Sequence, residues 1–323
     1  MKRKWIALVA LVLSVTMLVP LKTWAQEDVV IDDDQFGVSV TCGLDGMVRM
    51  GRTIPLDIMV ENRGKDFSGT IRIFVPGSED SKGIAYERDL NLAAQTNKTI
   101  HMAIPGTGVP SYLTVRILNE KGKVIDEADY KTNMINNQSD IAVVGILSDD
   151  YTALNYFDGA AFTMGYFNGT AKIIELTKDT VPDEVGGLDI CDYIIINSFD
   201  TSVLTEGQYS VIKKWVADGG VLMIGTGVEA QKVLNIFQDD FLSVKVGNHT
   251  KQVLELADEN TNAAGVEADM TSLEVAGGYK LQGITTESYA WFKQVDRGGI
   301  AVFEYNLGME PITSWDRDYR LAQ

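Results

Sequence analysis

The sequence has few of the residues on which catalytic and metal sites usually depend. Its 323 residues include two cysteines, Cys42 and Cys191, and two histidines, His101 and His249. Neither histidine lies near the other, or near a cysteine, at a metal-ligand spacing. We therefore expect no metal site. We expect both cysteines to be small core residues, with a disulfide between them as the open alternative in an oxidising compartment.

Signals for nucleotides and nucleic acids are also missing. The sequence contains no Walker motif, and Gly225-Thr226-Gly227 lacks the third glycine of a dinucleotide-binding fingerprint. Lysine and arginine total 28 against 45 aspartate and glutamate residues, which gives a formal net charge of −17. This balance predicts no nucleic-acid partner, and no motif calls for a cofactor.

Long apolar runs are missing except at the amino terminus. Lys2, Arg3 and Lys4 precede an apolar stretch over residues 5–21, and Ala25 ends a small-residue cleavage pattern. Residues 1–25 are therefore predicted to be a secretory signal peptide. A retained amino-terminal membrane tether is the alternative, because the stretch is long for a cleaved signal and short for a span. Either reading predicts an extracytoplasmic location, secreted or membrane-associated.

Residues 36–131 repeat a two-residue alternation of apolar and polar side chains. The alternation in Ile54, Leu56 and Ile58 recurs in several later runs, and Gly- and Asn-rich turns separate them. Short alternating strands at this spacing predict an all-β, Ig-like sandwich of about seven strands. His101 falls on the outward face of one strand, where we expect a surface role. Residues 132–140 are polar and aperiodic, which predicts a linker.

Continuous apolar runs replace the alternation from residue 141 onward. DYIIIN, an amphipathic stretch and VLMIGTG form a predicted β-α-β unit over residues 192–227, with a capping box at Thr205 and Gln208. Further helices are predicted near 154–167 and 228–237 from apolar residues at helical spacing. Residues 140–318 are thus predicted to be an α/β flavodoxin-like domain with a mostly parallel sheet and helices on both faces, interrupted by an irregular insertion at 241–286.

Both parts resemble one family. The run from Gly43 to Pro76 resembles the amino-terminal sandwich of uncharacterised bacterial envelope proteins, and the β-α-β unit resembles their second domain, which is similar to class I glutamine amidotransferases. RGGIAVFEYNLGMEPITSW at the end of the chain is similar to the closing strand of that group. The resemblance implies an envelope location and an amidotransferase-like fold for the second domain.

The chemistry of amidotransferases is not supported by the residues at the matching turn. Those enzymes need a nucleophilic cysteine on a tight strand-to-helix turn, a histidine base and an acidic partner. The turn here is Gly225-Thr226-Gly227, and His249 lies in an irregular segment without an H-x-E arrangement. We therefore predict no catalytic residues and a non-catalytic, degenerate domain.

Three polar strand ends are the candidate ligand cleft, because carboxyl ends of parallel strands meet at one edge. The alternative is that these side chains cap helices and fill turns. The candidates are Ser148, Asp149, Asp150, Asn197, Ser198, Asp200, Gly225, Thr226 and Gly227.

The leading hypothesis is an extracytoplasmic interaction or scaffold protein of the bacterial cell envelope, whose partner is an envelope protein or a polar ligand. One alternative is a hydrolase that uses Asp149, Ser198 and Thr226. The other is a carbohydrate- or ligand-binding module that uses the sandwich face or the 241–286 insertion, which requires an exposed aromatic platform or an apolar pocket there.

Overall fold

The computed structural model describes residues 31–32, 35–77, 83–106, 112–135, 141–164, 167–254, 266–282, 287–310 and 312–313. The predicted signal peptide lies outside the described residues. The strands are β1 Ile31–Asp32, β2 Phe36–Cys42, β3 Met47–Arg49, β4 Ile54–Asn62, β5 Phe67–Val75, β6 Ile84–Leu92, β7 Thr96–Ile104, β8 Tyr112–Asn119, β9 Val124–Lys131, β10 Asn133–Ile135, β11 Ile141–Ser148, β12 Ala161–Met164, β13 Phe167–Leu176, β14 Tyr193–Asn197, β15 Val221–Gly225, β16 Gln238–Asp239, β17 Leu242–Leu254, β18 Val266–Val275, β19 Tyr279–Gln282, β20 Glu287–Val295 and β21 Gly298–Phe303.

Helices are few in the described residues. The α-helices are α1 Glu206–Ala217 and α2 Ala230–Val233, and the 3₁₀ helices are Tyr151–Phe157, Thr201–Val203 and Gly227–Glu229. None of the described helices is both long and apolar enough to cross a membrane.

Residues 31–131 form a sandwich of two antiparallel sheets. One sheet has the order β1-β2-β4-β7 and the other has the order β6-β5-β8-β9. The inward side chains of both sheets, such as Ile58 and Ile71, form one buried cluster. The alternation of the sequence is thus the alternation between this core and the outer faces. Cys42 is buried in this cluster and is a free thiol, as predicted.

Residues 141–313, here called the second unit, are built on an eight-stranded mixed sheet. Its order is β12-β13-β11-β14-β15-β21-β20-β19. The five central strands, β13, β11, β14, β15 and β21, pair in parallel. The β14-α1-β15 unit is present, and Thr205 and Gln208 form the predicted capping box. Gly219, with φ +124°, follows the end of α1. Trp215 and Val216 pack α1 against one face of the sheet.

The prediction of a flavodoxin-like α/β domain is wrong. β12, β20 and β19 add antiparallel strands to both sides of the parallel group, and among the described helices only α1 is a long α-helix. The predicted helix near 154–167 is a 3₁₀ helix followed by the β12–β13 hairpin. The predicted helix near 228–237 is a 3₁₀ turn and the four-residue α2.

The physical reason for these errors is that spacings of three and four residues do not distinguish a short 3₁₀ turn from a full helix. The second face of the sheet is covered instead by the 3₁₀ helix at 151–157, by residues 305–312 and by the ends of β17 and β18. The amidotransferase-like description of this unit fails with its fold class, because that description required helices on both faces.

The segment predicted as an irregular insertion is regular over its described residues. β16, β17 and β18 form a three-stranded antiparallel sheet, and β19 belongs to the main sheet. β17 is 13 residues long and lies within the predicted irregular insertion. Polar side chains on both sides of this strand hide its alternation.

The sandwich and the second unit are joined by more than the linker. Part of the predicted linker is β10, which pairs in parallel with β3 of the sandwich. Arg49 of β3 contacts Asp192 of the second unit, with Nη1 2.6 Å from Oδ2, and its Nη2 donates to the carbonyl of Ile141 at 3.2 Å. Thr53 donates to Asp189 at 2.5 Å. These contacts fix one part of the chain against the other and create the cleft described below.

Candidate functional site

The three predicted strand ends are neighbours at one edge of the main sheet. Ser148 pairs with Asn197 in register, and Asn197 pairs with Gly225. The candidate side chains therefore share one edge, as the strand-end rule requires. Whether this edge can take a ligand depends on the hydrogen bonds that these side chains already make within the protein.

Several of these side chains are occupied as caps. Asp150 accepts the backbone N–H of Ala153 at 3.3 Å, and the Ser148 hydroxyl accepts the N–H of Asp150 at 3.2 Å. Asp200 accepts the N–H of Ser202 at 3.0 Å and its hydroxyl at 2.7 Å. The hydroxyl bond first, and then the N–H bond, hold the pKa of the Asp200 carboxyl below its ordinary value. Asp150 and Asp200 are thus the N-caps of 3₁₀ helices, which is the role expected for them if they do not bind a ligand.

Asp149 is paired with a lysine that the sequence did not single out. Lys232 of α2 lies 3.0 Å from Asp149 and 3.5 Å from Glu229, and it donates to the carbonyl of Ser198 at 3.3 Å. The hydrogen bond to Asp149 is the main reason that the pKa of the Lys232 ammonium is raised. A charged lysine held by two carboxylates is not a general base.

The Asn197 side chain is part of a buried amide network. Its Oδ1 accepts the N–H of Leu307 at 2.8 Å, and its Nδ2 donates to Asn306 Oδ1 at 2.9 Å. Asn306 in turn donates to the Ser198 hydroxyl at 2.7 Å. Ser198 has φ +51°, a conformation unusual for serine. The network ties the end of β14 to the segment that follows β21, so it has a clear structural role.

Thr226 is fully buried and its hydroxyl is already used. It donates to the carbonyl of Phe303 at 2.7 Å, which links β15 to β21. The Gly227 carbonyl accepts the hydroxyl of Thr271 at 2.6 Å. Gly225 cannot carry a side chain, because a Cβ there would lie 2.2 Å from Asn197 Oδ1. Residues 225–227 are therefore in close contact with the neighbouring segments and leave no space for a ligand.

The remaining nucleophile and base candidates do not assemble into a catalytic set. Cys191 is buried, and desolvation raises the pKa of its thiol. His249 lies on β17, where Nε2 is 3.1 Å from Asp269 Oδ1. Thr271 lies 3.5 Å from His249 Nδ1, but its proton goes to a backbone carbonyl, so the histidine cannot accept it. No described hydroxyl or thiol here is positioned as an activated nucleophile.

Asn306 is the site-edge residue that sequence reasoning could have found. It comes three residues after the end of β21, the fifth parallel strand to reach this edge. Applying the strand-end rule to β21 as well would have included it. Lys232 carried no such signal, because only the folded chain brings α2 to the start of the 151–157 helix.

An open cleft lies between the sandwich and the second unit. Its volume is about 610 Å³. The turn after β2 and the outward face of β4 and β7 form one wall, and the loop after β13 with the start of α1 forms the other. The cleft is lined by Thr41, Gly43, Leu44, Asp45, Gly46, Pro55, Asp57, His101, Lys178, Asp179, Thr180, Val181, Pro182, Asp183, Thr205 and Gln208.

The charged lining of this cleft is mostly acidic, with four aspartates against one lysine. His101 is exposed on β7, as predicted, and is also a wall residue of the cleft. Its Nδ1 is 2.6 Å from Asp57 Oδ1. Burial raises the pKa of the Asp45 carboxyl, and nearby Lys172 partly offsets the rise. Asp183 lies beside Gly207 in the first turn of α1, where the helix dipole stabilises a negative charge.

Exposed aromatic residues lie on the sandwich and in the 241–286 segment, where the carbohydrate- or ligand-binding alternative requires them, and not in the cleft. Trp215 is buried, and its Nε1 donates to the carbonyl of Cys191 at 3.1 Å. Tyr112 and Tyr279 are exposed, but no aromatic residue lines the cleft. In the part of the chain that the structure describes, no group of three His, Cys, Asp or Glu side chains could hold a metal ion.

Residues 35–133 match the family model called "Domain of unknown function (DUF8726)". This match covers the sandwich and less than half of the chain. No curated protein sequence matches the chain.

Solved structures with partial likeness share little sequence with this protein. An exo-β-1,4-mannosidase from Opitutaceae bacterium strain TAV5 is 12% identical, with a TM-score of 0.30 over 46% of this chain and 26% of the enzyme. The CARDB domain of a Pyrococcus furiosus protein, solved with two metal ions, is 12% identical, with a TM-score of 0.24 over 32% of this chain and 97% of the domain. A β-glucuronidase from Bacteroides uniformis is 11% identical, with a TM-score of 0.23 over 64% of this chain and 29% of the enzyme.

The chain spans less than a third of the length of either enzyme. These likenesses are too weak to define the fold or the function. The family match concerns the sandwich alone.

Proposed function

We propose that this protein is a non-catalytic interaction module that acts outside the cytoplasm, at the cell envelope, and binds its partner in the cleft between the sandwich and the second unit. The observation that carries the proposal is the junction itself. Ion pairs and the β3–β10 strand pair hold both walls of a cleft of about 610 Å³ in fixed positions. Preformed clefts between two folded parts are common binding sites.

The arrangement of the strand-end edge supports the non-catalytic part of the proposal. Asp149, Ser198 and Thr226 are each bonded to a different structural partner, respectively Lys232, Asn306 and the carbonyl of Phe303. A hydrolase needs such groups to converge on one reacting atom. Location outside the cytoplasm rests on the basic and apolar pattern of residues 1–25.

A photo-crosslinking amino acid tests where the partner binds. It is placed at Thr41, an exposed residue of the cleft wall, and as a matched control at Thr152, an exposed residue beside the strand-end edge. The proposal predicts one specific adduct in native cells from position 41 and none from position 152. The same adduct from position 152 alone would show that the partner binds at the strand-end edge, and this would refute the proposal that it binds in the cleft.

A hydrolysis assay tests the absence of catalysis separately. The purified protein, Ser198→Ala and Thr226→Val are incubated with activated esters and amides. The proposal predicts no turnover that depends on either hydroxyl. A rate that falls on Ser198→Ala while the protein stays folded would establish an enzyme.

A further inference from the structure

β17 has one edge that no other part of the described chain covers. Along residues 244–254 one edge pairs with β18, whereas the opposite edge pairs with β16 only at Leu242 and Ser243. No backbone hydrogen bond from any described residue reaches the opposite edge of residues 244–254. An unpaired row of N–H and C=O groups is a template for another strand.

The usable part of this edge is residues 249–254. The register between β17 and β18 shifts between Val246 and His249, so a bulge interrupts the strand there. From His249 to Leu254 the pairing with β18 is unbroken. These six residues extend about 20 Å, which is a typical strand length. Residues 249–253 are exposed, and Val253 has 49% of its surface open to solvent.

The charge of β17 differs from that of the whole chain. The strand contains Lys245 and Lys251 and no acidic residue, in a protein whose net charge is −17. The two lysines lie 3.4 Å from Glu274 and 4.0 Å from Glu267 of β18, in exposed and therefore weak ion pairs. A strand added to the free edge along residues 249–254 would lie about 5 Å from β17, so its side chains would face Lys251, whereas Lys245 lies before the bulge.

We infer that residues 249–254 of β17 accept an extended segment of a different protein, added as a further strand and carrying carboxylates at alternate positions. A second copy of this chain is a poorer occupant, because its residues 249–254 would bring a further lysine and no carboxylate against Lys251. The surface is separate from the cleft proposed above, and its test does not depend on that cleft.

The competing explanation is protective. Lysines and bulges on edge strands prevent edge-to-edge association. Under that explanation the edge binds no strand of any charge. The experiment therefore compares an acidic and a basic strand under the same conditions.

The probes are two labelled peptides, acetyl-TEVEVET-amide and acetyl-TKVKVKT-amide, added to the full chain at up to millimolar concentration at physiological salt. Binding is followed by fluorescence anisotropy, and amide hydrogen exchange locates it. We expect the acidic peptide to bind roughly threefold to tenfold more tightly, from cross-strand charge pairs. We also expect new protection of amides within residues 249–254.

Charge variants complete the test. Lys251→Glu should abolish or reverse the preference, whereas Lys121→Glu, the same charge change at an exposed turn of the sandwich, should leave it intact. Equal binding of both peptides, no binding, or protection outside β17 would overturn the inference. So would concentration-dependent sedimentation with this edge already protected in the free protein, because that result would make a second copy the occupant.

Discussion

Neutralising Asp192 should weaken the junction between the sandwich and the second unit by an amount that the contacts allow us to estimate. The Asp192 carboxylate receives Arg49 Nη1 at 2.6 Å, Arg52 Nη2 at 3.4 Å and the N–H of Val143 at 3.0 Å. Asp192→Asn keeps the shape and one acceptor oxygen. What it removes is the charge opposite Arg49, whose side chain is only 12% exposed.

The expected cost lies between two known limits. Exposed ion pairs contribute up to about 1 kcal/mol, and breaking a fully buried pair costs about 3–5 kcal/mol. The Asp192 side chain is 26% exposed, so partial screening applies. We expect Asp192→Asn to lower the free energy of unfolding by about 2 kcal/mol, with about 1–2 kcal/mol of that as coupling to Arg49.

Urea unfolding followed by tryptophan fluorescence measures this change. Trp215 is a suitable reporter, because it bonds to the carbonyl of the residue before Asp192. Arg49→Met, Asp192→Asn and the double variant form the cycle. Asp179→Asn is the control, since Asp179 pairs with Lys178 in an exposed ion pair and should change stability by less than about 0.5 kcal/mol. Additive single changes, or an Asp192→Asn effect no larger than the control, would show that the ion pair does not hold the junction.

Three further predictions concern single positions. Thr226→Val should lower stability by about 1–2 kcal/mol in urea unfolding, whereas Thr226→Ser should recover most of it, because the buried hydroxyl bond is then restored; equal losses would contradict this role. Gly298→Ala should cost about 3 kcal/mol, since its Cβ would lie 2.1 Å from a backbone oxygen, while Gly122→Ala, at φ +74° in open space, should cost about 1 kcal/mol by thermal unfolding. Cys42 and Cys191 should resist alkylation at pH 8 until urea unfolds the chain, because burial raises the pKa of both thiols, that of Cys42 to about 12. Because the pKa of the Cys42 thiol is higher in the folded than in the unfolded chain, the stabilisation from burying the neutral thiol is complete below about pH 9 and is lost as the pH rises towards 12. Rapid alkylation of the native protein would show that the thiols are accessible.

The candidate edge was predictable in position but not in role. The strand-end rule located Ser148, Asn197 and Gly225 together, because register in a parallel sheet follows from local strand pattern. It could not say that Lys232 neutralises Asp149, or that Asn306 occupies the Ser198 hydroxyl. Those partners come from distant parts of the chain, so only the folded structure brings them to the edge.

The errors in fold have the same origin. Residues near 154 and 228 have apolar side chains at helical spacing, and the sequence cannot tell whether one turn or several will form. The length of a helix depends on what its apolar face packs against. Here the second face of the sheet is covered by a 3₁₀ turn, by the segment after β21 and by β17 and β18, so long helices have no place on it.

By itself, the sequence determined the alternating strands of the sandwich, the β14-α1-β15 unit and the capping box of α1, because each depends on residues close together in the chain. Tertiary structure alone decided the cleft between the two parts, the ion pair of Arg49 with Asp192 and the free edge of β17. These features join or expose segments that are far apart in sequence. Their energies come from burial and pairing that exist only after the chain has folded.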